Sequence, residues 1–329
     1  MSAPVVFVLG AGASVDLGFP TGIGLRDHIV QDLSWAHASP HRVGDRTSRM
    51  RLVLTGNQPF ADAAALIESE MRSRNSVDHY LLSRSHQPEV VTLGKLAILN
   101  IIRLHELGST LRFRQDVMKT DVFMNTWMGR LLSHLLAGVS AERPEELFDP
   151  VAFINFNYDR SLEHFFYHAV QRALTLSPAK AKAVMERLIV HRPYGSVGPL
   201  PWQQPGGPDF EEGVPQLTEA AISSLKTYCD LPDMREGQKE WSALMAEAQM
   251  VVFLGFGFDP QNVAILGRSA GARAIFSAYG MNAAEFSNAR DLIAQDVLND
   301  GYASVAYEPL KADEFLKNYG TTIARYLRR

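Results

Sequence analysis

The sequence predicts an α/β fold: a doubly wound, Rossmann-like parallel sheet carrying a large, mainly helical insertion. Three short apolar runs predict the sheet: Val5-Val6-Phe7-Val8-Leu9, Val151-Ala152-Phe153-Ile154 and Val251-Val252-Phe253-Leu254. Each has the continuity of a strand buried on both faces, as parallel strands are. Segments of helical periodicity separate them, and strands alternating with helices argue for a doubly wound sheet. The 329 residues, 46% hydrophobic and 21% charged, are enough for a large core. The pattern reads as one domain over 1–329, with a core of 1–34 and 146–329 and an insertion over approximately 35–145.

In chain order, the first strand runs into Gly10-Ala11-Gly12-Ala13-Ser14 and then a helix over Leu25 to Leu33. Residues from about Ser34 to Pro59 read as irregular. A helix is predicted over Phe60 to Met71, and the segment Ser76 to Leu82 follows. Val90 to Leu107 carries apolar residues at 90, 93, 96, 97, 101 and 104, a helical stripe. Phe123, Trp127, Leu131 and Leu135 keep the i, i+4 spacing of another helix. Pro144 and Pro150 bracket the return to the sheet. After the second strand come helices over Arg160 to Ala173 and Lys180 to Arg187, then a strand over Leu188 to Val190. Further strands are predicted at Ala274 to Ala278 and Ala303 to Tyr307, and a last helix at Ala312 to Leu327. Residues 199–215, rich in proline and glycine, read as a lid or a surface excursion.

Chemistry is expected where the strands end, because ligands of open parallel sheets lie beyond the carboxyl ends. Glycines after the first strand let backbone N–H groups approach a phosphate, and a helix start adds partial positive charge, so a nucleotide site is expected there. The plain alternative is a tight turn. A hydride-transfer enzyme is disfavoured, since that fingerprint wants glycine or alanine where Val15 stands. Asp32, at about the expected distance for a ribose contact, follows helical sequence rather than a second strand. The second strand ends in Asn155-Phe156-Asn157-Tyr158-Asp159, the third leads to His191-Arg192-Pro193-Tyr194-Gly195-Ser196, and the fourth ends in Gly255-Phe256-Gly257-Phe258-Asp259-Pro260. Asp159 and Asp259 also suit helix caps, and Phe256 and Phe258 also suit a core.

Composition narrows the class. A net charge of −4 gives no electrostatic reason to expect nucleic-acid binding. Arg42, Arg46, Arg49 and Arg51 form a local basic cluster, read as a solvated loop or helix face. No apolar stretch reaches membrane-spanning length and no signal-peptide pattern is seen. Cys229 is the single cysteine, which excludes a disulfide within the chain and favours the cytoplasm. His164 and His168 stand at i, i+4 without a carboxylate or thiol cluster, so they are read as surface or packing residues. No metal is expected.

Taken in order, the opening loop with Gly18-Phe19-Pro20, the Asn-Tyr-Asp element at 157–159, Tyr-Gly-Ser at 194–196 and Gly-Phe-Gly-Phe-Asp at 255–259 resemble the sirtuin-like proteins of prokaryotes. Many of those are NAD-consuming effectors in anti-phage defence. Ser76 to Leu81 and Gly94 to Ile98 look like segments that these proteins carry. The resemblance implies NAD as substrate, cleaved to nicotinamide and ADP-ribose. It implies that Asn157 orients the attacking water and Asp159 contacts the carboxamide. Gly10, Ala11, Gly12, Ala13, Ser14 and Pro20 would form the loop around pyrophosphate and ribose. Gly195 and Ser196 would join the site, with Gly255, Phe256 and Gly257 along the adenosine half and Asp259 beside them. The chain departs from the family at Tyr194, where a histidine base is usual; a tyrosine is a poor base at neutral pH. His191, three residues earlier, is the alternative base. The structural zinc of sirtuin deacylases needs four cysteines, and Thr21-Gly22 replaces their Asp-Phe-Arg, so protein deacylation is disfavoured. A non-catalytic module binding NAD or ADP-ribose is the rival reading. NAD depletion is toxic unless gated, so the resemblance implies a defence-system partner protein or a homo-oligomer.

Overall fold

The computed structural model describes residues 3–38, 48–112, 125–140, 142–212, 219–269, 271–298 and 305–327. Six parallel strands form one sheet in the order β3-β2-β1-β4-β5-β6, with helices on both sides. They are β1 (Val5–Leu9), β2 (Val151–Asn155), β3 (Ile189–His191), β4 (Met250–Leu254), β5 (Arg273–Ser277) and β6 (Val305–Glu308). In β1, β2 and β4 every residue is buried, which is why their sequences are unbroken apolar runs. The chain winds outward in both directions from β1, so the order reverses between β1 and β4. At such a switch point the connections leave to opposite sides and open a crevice at the carboxyl rim. Both registers across it are regular, Leu9 opposite Leu254 and Leu9 opposite Asn155, so the three loops leave the sheet at one level.

The first loop is not an α-helix start. Ala11–Leu17 form a 3-10 turn that ends at Gly18 in the left-handed region, and helix α1 begins only at Gly22 and runs to Ala38. The expected irregular stretch from Ser34 to Pro59 is corrected in two places: α1 continues past its start to Ala38, and α2 spans Ser48–Leu54. Leu33 and Ala36 keep the buried face going, while the exposed Trp35 obscures the pattern. The core boundary drawn at 34 therefore falls inside a helix. The inserted helices continue as α3 (Gln58–Glu70), α4 (Val77–Ser83), α5 (Pro88–Gly108) and α6 (Trp127–Leu136). The apolar stripe seen in the sequence is the buried face of α5, with Val90, Leu93, Leu96, Ala97 and Ile101 inside. Arg42, Arg46 and Phe123 lie outside the described residues.

Beyond β2 come α7 (Ser161–Ala173), α8 (Pro178–Met185), α9 (Glu219–Ser223), α10 (Leu231–Glu247), α11 (Pro260–Ala264), α12 (Ala283–Leu292) and α13 (Ala312–Leu327). The sequence pattern does not predict α10 and α12, because only Met234, Trp241, Leu244 and Met245 of α10 and Ala289 of α12 are buried, too few for a clear stripe. On one face of the sheet Phe7 stacks on Trp127 and Phe153 meets Phe166. On the other, His191 meets Trp241 and Phe276 stacks on Phe286.

The insertion is fastened to the core at the rim. The Trp127 indole N–H donates to the Ala13 carbonyl at 2.8 Å, and the Ser109 hydroxyl and the Thr110 amide both donate to the Leu17 carbonyl. A buried ionic group completes the join. Glu106 of α5 receives Arg103 at 2.5 Å and Arg160 at 2.6 Å. The same guanidiniums donate to the carbonyls of Asp209 and Glu212 (Arg103) and of Pro199 and Pro208 (Arg160). The described part of the proline-rich stretch is thus anchored by its backbone. Residues 213–218 lie outside the described residues.

Asp32 sits in α1 and accepts from Asn100 of α5 at 2.9 Å, away from any strand end. Burial raises its carboxyl from 3.8 to about 6. The folded state therefore holds the proton more tightly than the unfolded chain, so stability falls as pH rises from 3.8 towards about 6. Asp32→Asn is expected to be more stable than the parent above this window by about 1–3 kcal/mol, with no difference below it. Urea unfolding at a series of pH values measures this, and equal curves at all pH would contradict it.

Candidate functional site

Three rim loops meet where the strand order reverses. The Gly10 amide donates to the Leu254 carbonyl and the Gly12 amide to the Gly255 carbonyl, each at 3.0 Å. A Cβ on Gly10 would lie 2.5 Å from the Gly255 carbonyl oxygen, and one on Gly255 would lie 2.1 Å from the Ala13 nitrogen. Gly255 also has φ +57, in the left-handed region. These glycines are thus accounted for by backbone packed on backbone. The close approach expected from a phosphate is made here by the neighbouring loop. Gly257 differs: nothing lies within 4 Å of the Cβ it lacks. Ala11 and Gly12 are half-buried at the rim, Ala13 is buried, and Pro20 stands half-buried between the turn and α1.

The loop after β2 enters the same place. The Asn157 amide donates to the Gly10 carbonyl at 3.0 Å and to Ser14 Oγ at 3.2 Å. Its backbone is held at both ends, its N–H by Asn155 Oδ1 and its carbonyl by the Arg192 guanidinium at 2.7 Å. Arg192 in turn pairs with Glu163 at 2.6 Å. Asp159 accepts from the Ser161 amide and hydroxyl, closing the turn before α7, and is also hydrogen-bonded by Ser14. Burial pushes its carboxyl up, an effect that Ser161 and Arg192 offset in part. Ser14, Asn157, Asp159 and Gly255 therefore share one site.

The loop after β3 divides. Tyr194 is buried among Phe156, Tyr158 and Tyr228 and donates its hydroxyl to Asn262. Burial drives its phenol far above its usual range, so it holds its proton. His191 turns to α10, with Nδ1 3.5 Å from Glu240 and its ring 6.0 Å from Trp241. Its half-burial lowers its proton affinity. Gly195 has φ +68, and a Cβ there would meet the Ser224 carbonyl at 1.9 Å. Gly195 and Ser196 line a cavity of about 570 Å³ beside the edge strand, together with Glu163, Arg192 and Trp202.

The loop after β4 buries both aromatic rings. Phe256 packs on Phe156 at 5.0 Å, and Phe258, at φ +52, packs on Phe253 and Phe276. Only the backbone of Phe256 remains for a ligand. Asp259 caps α11 through the Gln261 amide at 2.9 Å, and its other oxygen lies 3.6 Å from His79 Nε2.

That histidine and its neighbour Asp78 stand against the loops after β4 and β2. Asp78 Oδ1 accepts from the Tyr158 hydroxyl at 3.3 Å, and burial pushes its carboxyl up to about 6. The His79 ring stands edge-on to Tyr228 at 5.2 Å. Ser76, placed to cap the helix, and the likeness of Ser76 to Leu81 to a segment of sirtuin-like proteins are the signals in the sequence; nothing in the spacing turns that helix toward the rim. His164 and His168 pack together, His164 stacking 4.0 Å from Phe210, and burial lowers them to about 3 and about 4. Among the described residues no group of three or more His, Cys, Asp or Glu is placed to hold a metal ion. No protein-family model matches the chain, and no curated protein matches it.

Two glycines in one loop thus separate packing from ligand access. Gly255→Ala is expected to lose at least about 3 kcal/mol from backbone strain and overpacking. Gly257→Ala is expected to melt with the parent, because nothing lies within 4 Å of the added methyl. Equal losses of melting temperature in the two variants would contradict this.

Proposed function

We propose that the protein is an NAD glycohydrolase, releasing nicotinamide and ADP-ribose. The observation that carries this reading is the convergence of Ser14, Asn157, Asp159 and Gly255 at the switch-point rim of a parallel sheet. Dinucleotides bind across such a crevice. Cleavage of the nicotinamide–ribose bond passes through an oxocarbenium-like state, which a fixed amide oxygen and a nearby carboxylate stabilise while water is positioned. Asn157 suits that role, because its side-chain NH2 is engaged by Gly10 and Ser14, which orients its oxygen.

The resemblance to prokaryotic sirtuin-like proteins carries the wider reading, an effector that depletes cytoplasmic NAD during phage infection. Gating by a partner protein or by self-assembly follows from the toxicity of such an activity. The inserted helices are the natural surface for that contact. The rival is a non-catalytic NAD or ADP-ribose sensor, favoured by Tyr194, whose buried phenol keeps its proton.

Nicotinamide release from NAD, measured with and without the products of neighbouring genes, separates the two. Asn157→Ala is expected to lower release by at least ~100-fold, the order found for removing one transition-state contact. Binding without turnover under every condition would establish the sensor.

A further inference from the structure

Resting on the hydrolase reading, we propose that His79 of the inserted helix α4 takes the proton of the attacking water and that Asp259 stabilises the imidazolium so formed. Attack of water on the anomeric carbon needs a proton acceptor that works near neutral pH. Tyr194 keeps its proton, and His191 is turned toward α10. Asp159 is taken up by Ser14 and Ser161, and Asp78 by Tyr158.

His79 is held from three elements and still reaches solvent, its side chain 33% exposed. From its own helix, Ser76 Oγ lies 2.9 Å from Nδ1 and also accepts the His79 amide, capping α4. From the turn at Tyr228–Asp230, the Tyr228 ring stands across it. From the loop after β4, Asp259 faces Nε2 at 3.6 Å. On the Tyr228–Asp230 turn, Asp230 is paired with Lys95 at 2.9 Å. Asp78, a charged neighbour on α4 itself, bonds Tyr158, the residue that follows Asn157, and so docks α4 on the loop bearing the water-orienting amide. When Nδ1–H donates to Ser76, Nε2 carries the lone pair on the side of Asp259, at the end of the loop after β4.

The step balances. The bond between the anomeric carbon and the nicotinamide ring nitrogen breaks, its electron pair neutralising the pyridinium. The water oxygen bonds to the anomeric carbon, and its proton passes to Nε2. The imidazolium, opposite the Asp259 carboxylate, later releases that proton to solvent. No redox partner is required.

The test uses the full chain under conditions where the parent releases nicotinamide. His79→Ala is expected to lower kcat by about 10²- to 10³-fold with KM nearly unchanged, and to remove the acid limb of the kcat–pH profile. Added imidazole is expected to restore turnover to His79→Ala and not to Asn157→Ala. Asp259→Asn keeps the α11 cap and is expected to lose about tenfold. If His79→Ala retains parental kcat and pH profile while Asn157→Ala is inactive, the hydrolase reading stands and this inference is wrong. If kcat and melting temperature fall together in both His79→Ala and His79→Gln, without imidazole rescue, His79 is structural and the inference is again overturned. If the parent releases no nicotinamide with any gene neighbour, the hydrolase reading itself falls, and this inference with it.

Discussion

Backbone pressed on backbone at the carboxyl rim is the constraint from which the rest of the site follows. The loops after β1 and β4 approach so closely that neither tolerates a Cβ at the contact, and two amides of the first loop are spent on carbonyls at the end of β4. That contact fixes the 3-10 turn, and the turn places Ser14 where it meets both Asn157 and Asp159. A rim set by main-chain geometry is stiff, because no side-chain rotamer can relax it. Stiffness of this kind suits a site that must hold a ligand in one orientation.

The site draws on two sources. The sheet contributes the amide and carboxylate beside the glycine loop, whereas the inserted helices contribute Asp78 and His79 at the other side of the loop after β2. Between them lies a cluster of tyrosines, Tyr158, Tyr194 and Tyr228, all driven upward in proton affinity by burial. Such a cluster supplies hydrogen-bond donors while remaining uncharged.

The sheet was legible in the sequence because strands buried on both faces leave unbroken apolar runs; β1, β2 and β4 fall within a residue of the predicted bounds. The order of the rim motifs along the chain also led to the shared site. Two things were not legible. Gly10 and Gly255 are far apart in sequence, so their mutual packing leaves no local trace, and a phosphate loop and a loop-on-loop contact demand the same residue. The direction of α4 is the other: its cap and its buried Val77, Tyr80 and Leu81 set one face, but only tertiary packing aims Asp78 and His79 at Tyr158 and Asp259.

Glu106 is a lone carboxylate serving two guanidiniums, one on an inserted helix and one at the start of α7, and those guanidiniums hold the carbonyls of the segment after β3. Excising the inserted helices would strand Arg160 in the interior without a counter-charge, a loss on the order of 3–5 kcal/mol. The sheet therefore has no minimal core to be trimmed out or grafted elsewhere: what looks in sequence like an accessory is part of the keystone.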